Sequence, residues 1–66
     1  MTDAEFSIKY HNFETEDVES AKDERDKVTA QGVDAVVVGP LMGRYCLMLR
    51  GVAEMMATVD PSIKVA

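Results

Sequence analysis

Asp34-Ala35-Val36-Val37-Val38-Gly39-Pro40-Leu41-Met42-Gly43-Arg44-Tyr45 is the stretch on which the fold turns. Asp34 to Val38 is apolar on both faces and β-branched, the pattern of a central strand buried on both sides, and Gly39-Pro40 ends it. Two continuations compete. Leu41-Met42-Gly43-Arg44 forms either the turn of a hairpin or the opening of a helix. Gly43, Arg44, Arg50, Gly51, Glu54 and Thr58 fall, at 100° per residue, inside one sector of about 120°, with only Leu47 intruding. That stripe favours a helix over 41 to 59, with Gly39 as N-cap, Pro40 in the first turn and Pro61 just past the end. Gly43 and Gly51 count against it, at about 1 kcal/mol each relative to Ala in a helix interior.

Upstream, residues 14 to 31 are polar with a thin apolar line at Val18, Ala21 and Val28, and Gly32 stands where a helix C-cap belongs. Asp23 and Lys27 attract at i,i+4 while Glu19 and Asp23 repel, so this helix must lean on a sheet. Glu5-Phe6-Ser7-Ile8-Lys9-Tyr10-His11 alternates, with Phe6, Ile8 and Tyr10 on one side, and predicts a half-buried strand. Ser62-Ile63-Lys64-Val65-Ala66 alternates again and predicts a short edge strand. The expected fold is therefore α/β: a small βαβαβ unit whose three-stranded, mostly parallel sheet carries both helices on one face, since right-handed crossovers place them together. The other face is expected bare.

Sixty-six residues make a single domain, 1–66, with little room for a core. The formal charge is −5, which argues against a nucleic-acid partner, because phosphate contacts need surplus Lys and Arg. The single cysteine, Cys46, forms no internal disulfide and points to a reducing, cytoplasmic setting. No run approaches the roughly 18 to 20 apolar residues of a membrane span. Met1-Thr2-Asp3-Ala4-Glu5 is acidic where a signal peptide is basic. Residues 1 to 34 carry ten acidic and four basic side chains, net −6, whereas residues 35 to 66 carry net +1 and four of the five methionines. A solvated element is thus layered on an apolar remainder.

Asp34-Ala35-Val36-Val37-Val38-Gly39-Pro40, followed by Leu41-Met42 and Arg44-Tyr45, resembles the enzyme IIB component of lactose/cellobiose-type sugar phosphotransferase systems over roughly residues 33 to 65. The resemblance implies a four-stranded parallel α/β sandwich that carries a phosphoryl group on cysteine. The family's Cys-x-x-Gly-type loop after the first strand is replaced here by His11-Asn12-Phe13-Glu14-Thr15. What the resemblance implies is accordingly a degenerate phosphotransferase-like component, with Cys46 as the only possible acceptor.

No residue is expected to be catalytic. His11 has no cysteine or second histidine at metal spacing, so neither a metal nor another cofactor is expected. Cys46 reads as a buried small hydrophobe. The acidic run from Glu14 to Asp26 is interrupted by Lys22 and Arg25 and reads as a solvated helix face. Gly39, Gly43 and Arg44, at a helix opening after a central strand, are the candidate site for an anionic small ligand. Leu41, Tyr45, Met48, Val52, Met55 and Met56 are too many for three short strands to hide, and form the candidate interface. The expected function is a small acidic, non-catalytic and regulatory interaction module. Its partner is itself, as a dimer, or another protein for which it is a subunit or inhibitor, with no nucleic acid and no membrane involved.

Overall fold

The chain turns back at Met42-Gly43. In a computed structural model describing all 66 residues, α1 (Asp3–Tyr10), α2 (Val18–Ala30), β1 (Ala35–Leu41), β2 (Arg44–Leu49) and α3 (Arg50–Val59) follow one another. β1 and β2 are an antiparallel hairpin in which Ala35 faces Leu49, Val37 faces Leu47 and Leu41 faces Arg44. Met42 (φ +53°) and Gly43 (φ +78°) both take the left-handed conformation that a two-residue turn of this hand requires, matching the twist of the strands it joins. The helix expected over 41 to 59 is therefore only half present. Its polar stripe merged two different periods, a turn and strand as far as Leu49 and a helix from Arg50.

β1 is central, as its apolar composition requires. β2 lies on one side. On the other, the C-terminal segment runs alongside, with Gly39 N–H donating to Lys64 C=O at 2.9 Å and Ala66 N–H to Val37 C=O at 2.8 Å. The edge strand expected at 62 to 66 is reduced to this antiparallel bridge of Val65 to Val38. A second bridge, Thr15 to Tyr45, covers the start of β2 from outside. No pair is parallel, so the three-stranded parallel sheet is replaced by a two-stranded hairpin flanked by short bridges.

Both faces are covered. Phe6 and Tyr10 of α1 and Ala21 and Val28 of α2 pack with Val33, Ala35, Val37 and Leu47 on one face. On the other, Val36 and Val38 meet Ala53 of α3 and Ile63. The bare face and the two helices sharing a side are thus both overturned, because a tight hairpin sends α3 across the sheet from α2 with no crossover to fix its hand.

The strand expected at Glu5–His11 is α1. Thr2 Oγ1 accepts from Glu5 N–H at 3.1 Å while Glu5 Oε1 accepts from Thr2 N–H at 2.9 Å, a capping box that starts a helix. Phe6 and Tyr10, four apart, are buried, and Ile8 between them is 77% exposed. α2 was anticipated. Asp17 caps its start, and at its end Gly32 (φ +89°) donates to Thr29 C=O and Val33 N–H to Val28 C=O. No helix is long and apolar enough to cross a membrane.

Candidate functional site

α3 turns its small side chains to the sheet and its larger apolar ones away from it. The residues it turns to the sheet are the small ones: Ala53 is buried and Ala57 packs at the edge of the same cluster. Val52, Met55, Met56 and Val59 fall within about 100° of arc on the side away from that contact. Met55 is 63% exposed and Val59 84%, with Val52 and Met56 near 40%. Glu54 is the only charge from Gly51 to Val59.

Two shallow grooves border β2 and the start of α3. A groove of about 190 Å³ runs between α1 and β2, lined by Phe6, Ser7, Tyr10 and His11 on one wall and Leu47, Met48, Leu49 and Val52 on the other. A second, of about 300 Å³, shares Leu49 and Val52 and extends along the opening of α3 to Met55 and Asp3. Arg50 is held at this corner, its Nε donating to both carboxylate oxygens of Asp34 at 3.1 Å.

The outer edge of β2 borders these grooves, with Leu47 itself buried. Val37 and Gly39 bond to the C-terminal segment, so the alternate residues Val36 and Val38 bond to β2, through Met48 and Cys46. Tyr45, Leu47 and Leu49 therefore turn their N–H groups outward. Tyr45 exchanges two bonds with Thr15, at 2.7 and 3.0 Å. Beyond it, Leu47 and Leu49 continue the row with no strand beside them.

The six expected interface residues are divided. Val52, Met55 and Met56 lie on the exposed arc of α3, and Met48 on β2 beside it. Met48, like Leu41, packs into the α3 side of the core and Tyr45 into the α1/α2 side, all three half-buried. Val59 and the outward backbone of Leu47 and Leu49 were not anticipated. Val59 is visible in the apolar phase once the helix is started at Arg50, but backbone at a strand edge leaves no side-chain signal.

Gly39, Gly43 and Arg44 do not surround a helix opening. Gly39 lies within β1 where the register slips by one residue against β2, Gly43 is in the turn, and Arg44 Nη1 donates to Glu14 Oε1 at 3.2 Å. The helix opening expected to draw an anion is not there, because the segment is strand and turn. The sandwich implied by the enzyme IIB likeness is also not this fold, since Gly39-Pro40 continues β1 and Arg44-Tyr45 opens β2.

Cys46 is half-buried on β2, and its thiol is pushed up from its ordinary value, first by burial and then by the nearby Glu14 carboxylate. Both effects disfavour the nucleophilic thiolate. His11 is exposed, its Nδ1–H donating to Ile8 C=O at 3.2 Å. Glu24 of the acidic helix accepts from Tyr10 O–H at 2.9 Å and from Lys27 at 3.2 Å. No three His, Cys, Asp or Glu side chains converge as a metal site. Comparison with known protein families, with curated proteins and with solved structures finds no match to this chain.

Proposed function

We propose that this chain is a small, acidic, non-catalytic interaction module that works as a homo-oligomer through the surface formed by α3 and the end of β2. The observation that carries this is the helix's orientation: α3 buries Ala53, half-buries Ala57 and leaves Val52, Met55, Met56 and Val59 exposed. A helix normally directs its large apolar side chains to the core, and an uncovered patch of this kind on a small chain marks an association surface. The fold is too small to compensate elsewhere, with thirteen of 66 residues buried.

Charge favours a second copy as the occupant. The acidic side chains are concentrated before residue 35, and α2 lies across the sheet from α3. Two copies meeting on α3 keep their acidic helices apart and bring together surfaces that are nearly neutral. Light scattering on the wild type and on Met55→Glu tests this. At 63% exposure a glutamate is tolerated in the folded monomer, but burying it unpaired across an interface costs several kcal/mol. Association of Met55→Glu should weaken by about two orders of magnitude or more with the circular dichroism unchanged. Glu54→Gln, outside the apolar arc, should associate as the wild type does.

A further inference from the structure

We propose that the association surface is redox-sensitive: a hydroperoxide that converts the thioethers of Met55 and Met56 to sulfoxides releases the chain from its second copy, and reduction restores the contact. This rests on the self-association proposed above and adds its regulation. At 100° per residue Met55 and Met56 stand at the two margins of the apolar arc of α3, with Val59 and Val52 between them. Any surface laid on the two valines therefore has a thioether on each side. Both are open in the single chain, Met55 at 63% and Met56 at 41%, whereas Met48 is half-buried against the core. The one thiol is held back. Cys46 is half-buried, and burial and then Glu14 keep it above its ordinary value, so little thiolate is present to meet the oxidant.

With hydrogen peroxide as oxidant, a lone pair of the methionine Sδ attacks one peroxide oxygen. The O–O bond breaks, an S–O bond forms, and the second oxygen leaves with both protons as water. Sulfur gives up two electrons and the peroxide takes them. An apolar side chain thereby gains a strongly accepting oxygen. In the monomer that oxygen is hydrated, and the core is untouched. Beneath a second copy it lacks a donor. The only hydroxyl on α3, that of Thr58, already donates to Met55 C=O at 2.6 Å, Glu54 is a carboxylate, and Arg50 is held by Asp34. The second copy brings the same set of groups. Burying the sulfoxide oxygen unpaired should weaken association about tenfold or more for each methionine oxidised. Conversely, the assembled chain covers both thioethers, so oxidation runs through the free copy and slows as protein concentration rises.

The test uses the whole chain carrying Cys46→Ala, so that no thiol reacts. Hydrogen peroxide is added and removed, the oxidised methionines are located by mass spectrometry of peptides, and association is measured by sedimentation. With Met55 and Met56 oxidised, association should weaken at least tenfold while the circular dichroism stays unchanged. Methionine sulfoxide reductases for both epimers, with dithiothreitol as electron donor, should restore it, the oxygen leaving as water and the dithiol becoming a disulfide. Met55→Leu/Met56→Leu, similar in volume and without a thioether, should associate before treatment and keep its affinity after it. Met42→Leu, at a fully exposed turn position outside the arc, should respond to peroxide as its parent does. If the chain oxidised at Met55 and Met56 associates with unchanged affinity, or if the double leucine variant is weakened by peroxide as much as its parent, the switch is wrong while self-association stands. An untreated chain that is monomeric throughout overturns the self-association reading and the switch with it.

Discussion

Gly39 has φ +142°, and a Cβ there would lie 2.8 Å from the carbonyl oxygen of Arg44 and 3.0 Å from Cδ1 of Tyr45. The first of these is backbone that the hairpin holds in place, so neither the torsion nor the contact has an easy escape. Gly39→Ala should cost about 2 to 3 kcal/mol, measured by urea unfolding. The Tyr10–Glu24 hydrogen bond ties α1 to α2 and makes stability depend on pH in two directions. The bond from Tyr10, then that from Lys27, holds the Glu24 carboxyl below its ordinary 4.5, so the unfolded chain takes up the proton first as acid is added. Its contribution is complete above about pH 4.5 and is lost as the pH falls through the folded-state value. Burial and then Glu24 raise the Tyr10 phenol above its ordinary 10.0, and that contribution is lost instead as the pH rises past it. Tyr10→Phe should cost about 1 kcal/mol at pH 7, and its deficit against the wild type should shrink in acid. Phe6 and Tyr10 are visible in the sequence as apolar positions, but this bond is not, since it joins residues 14 apart across two helices.

At the scale of elements, local signals were decisive where they were unambiguous and misleading where two periods met. α2 was legible because Gly32 marks its end and its apolar residues hold one helical line. At α1, Phe6, Ile8 and Tyr10 satisfy alternation while Phe6 and Tyr10 alone satisfy helical spacing, so alternation points to a strand where the chain is helical. The capping pair Thr2 and Glu5 was the signal that separates the two. The hairpin leaves a weak signal because its turn is Met-Gly and lacks the Asn-Gly or Asp-Gly that announces this geometry. Met42 holds φ +53° with its side chain wholly in solvent, so it gains no packing for an unfavourable conformation. Met42→Asn should stabilise the protein by about 0.5 to 1 kcal/mol, seen as a rise of several degrees in Tm. An unchanged or lower Tm would mean the turn is not as described.

The whole molecule is three layers, with α1 and α2 on one side of the hairpin and α3 on the other, and only the third layer is unfinished. Its surplus was legible as composition, in the methionines and valines after residue 41, but its direction was not. Starting the helix at 41 placed Met48 on the same helix as Met55, whereas the chain places it on β2, beside α3. The strand edge between them was illegible, because it consists of backbone groups whose outward turn depends on how β1 is paired on its far side. Self-association through α3 and β2 is the claim on which the functional account depends, and sedimentation equilibrium across micromolar to millimolar concentration tests it most directly. The wild type should approach twice the chain's 7.3 kDa as concentration rises, and Met55→Glu should need a concentration about a hundredfold higher to reach the same average mass. A wild type that stays at 7.3 kDa throughout would contradict it.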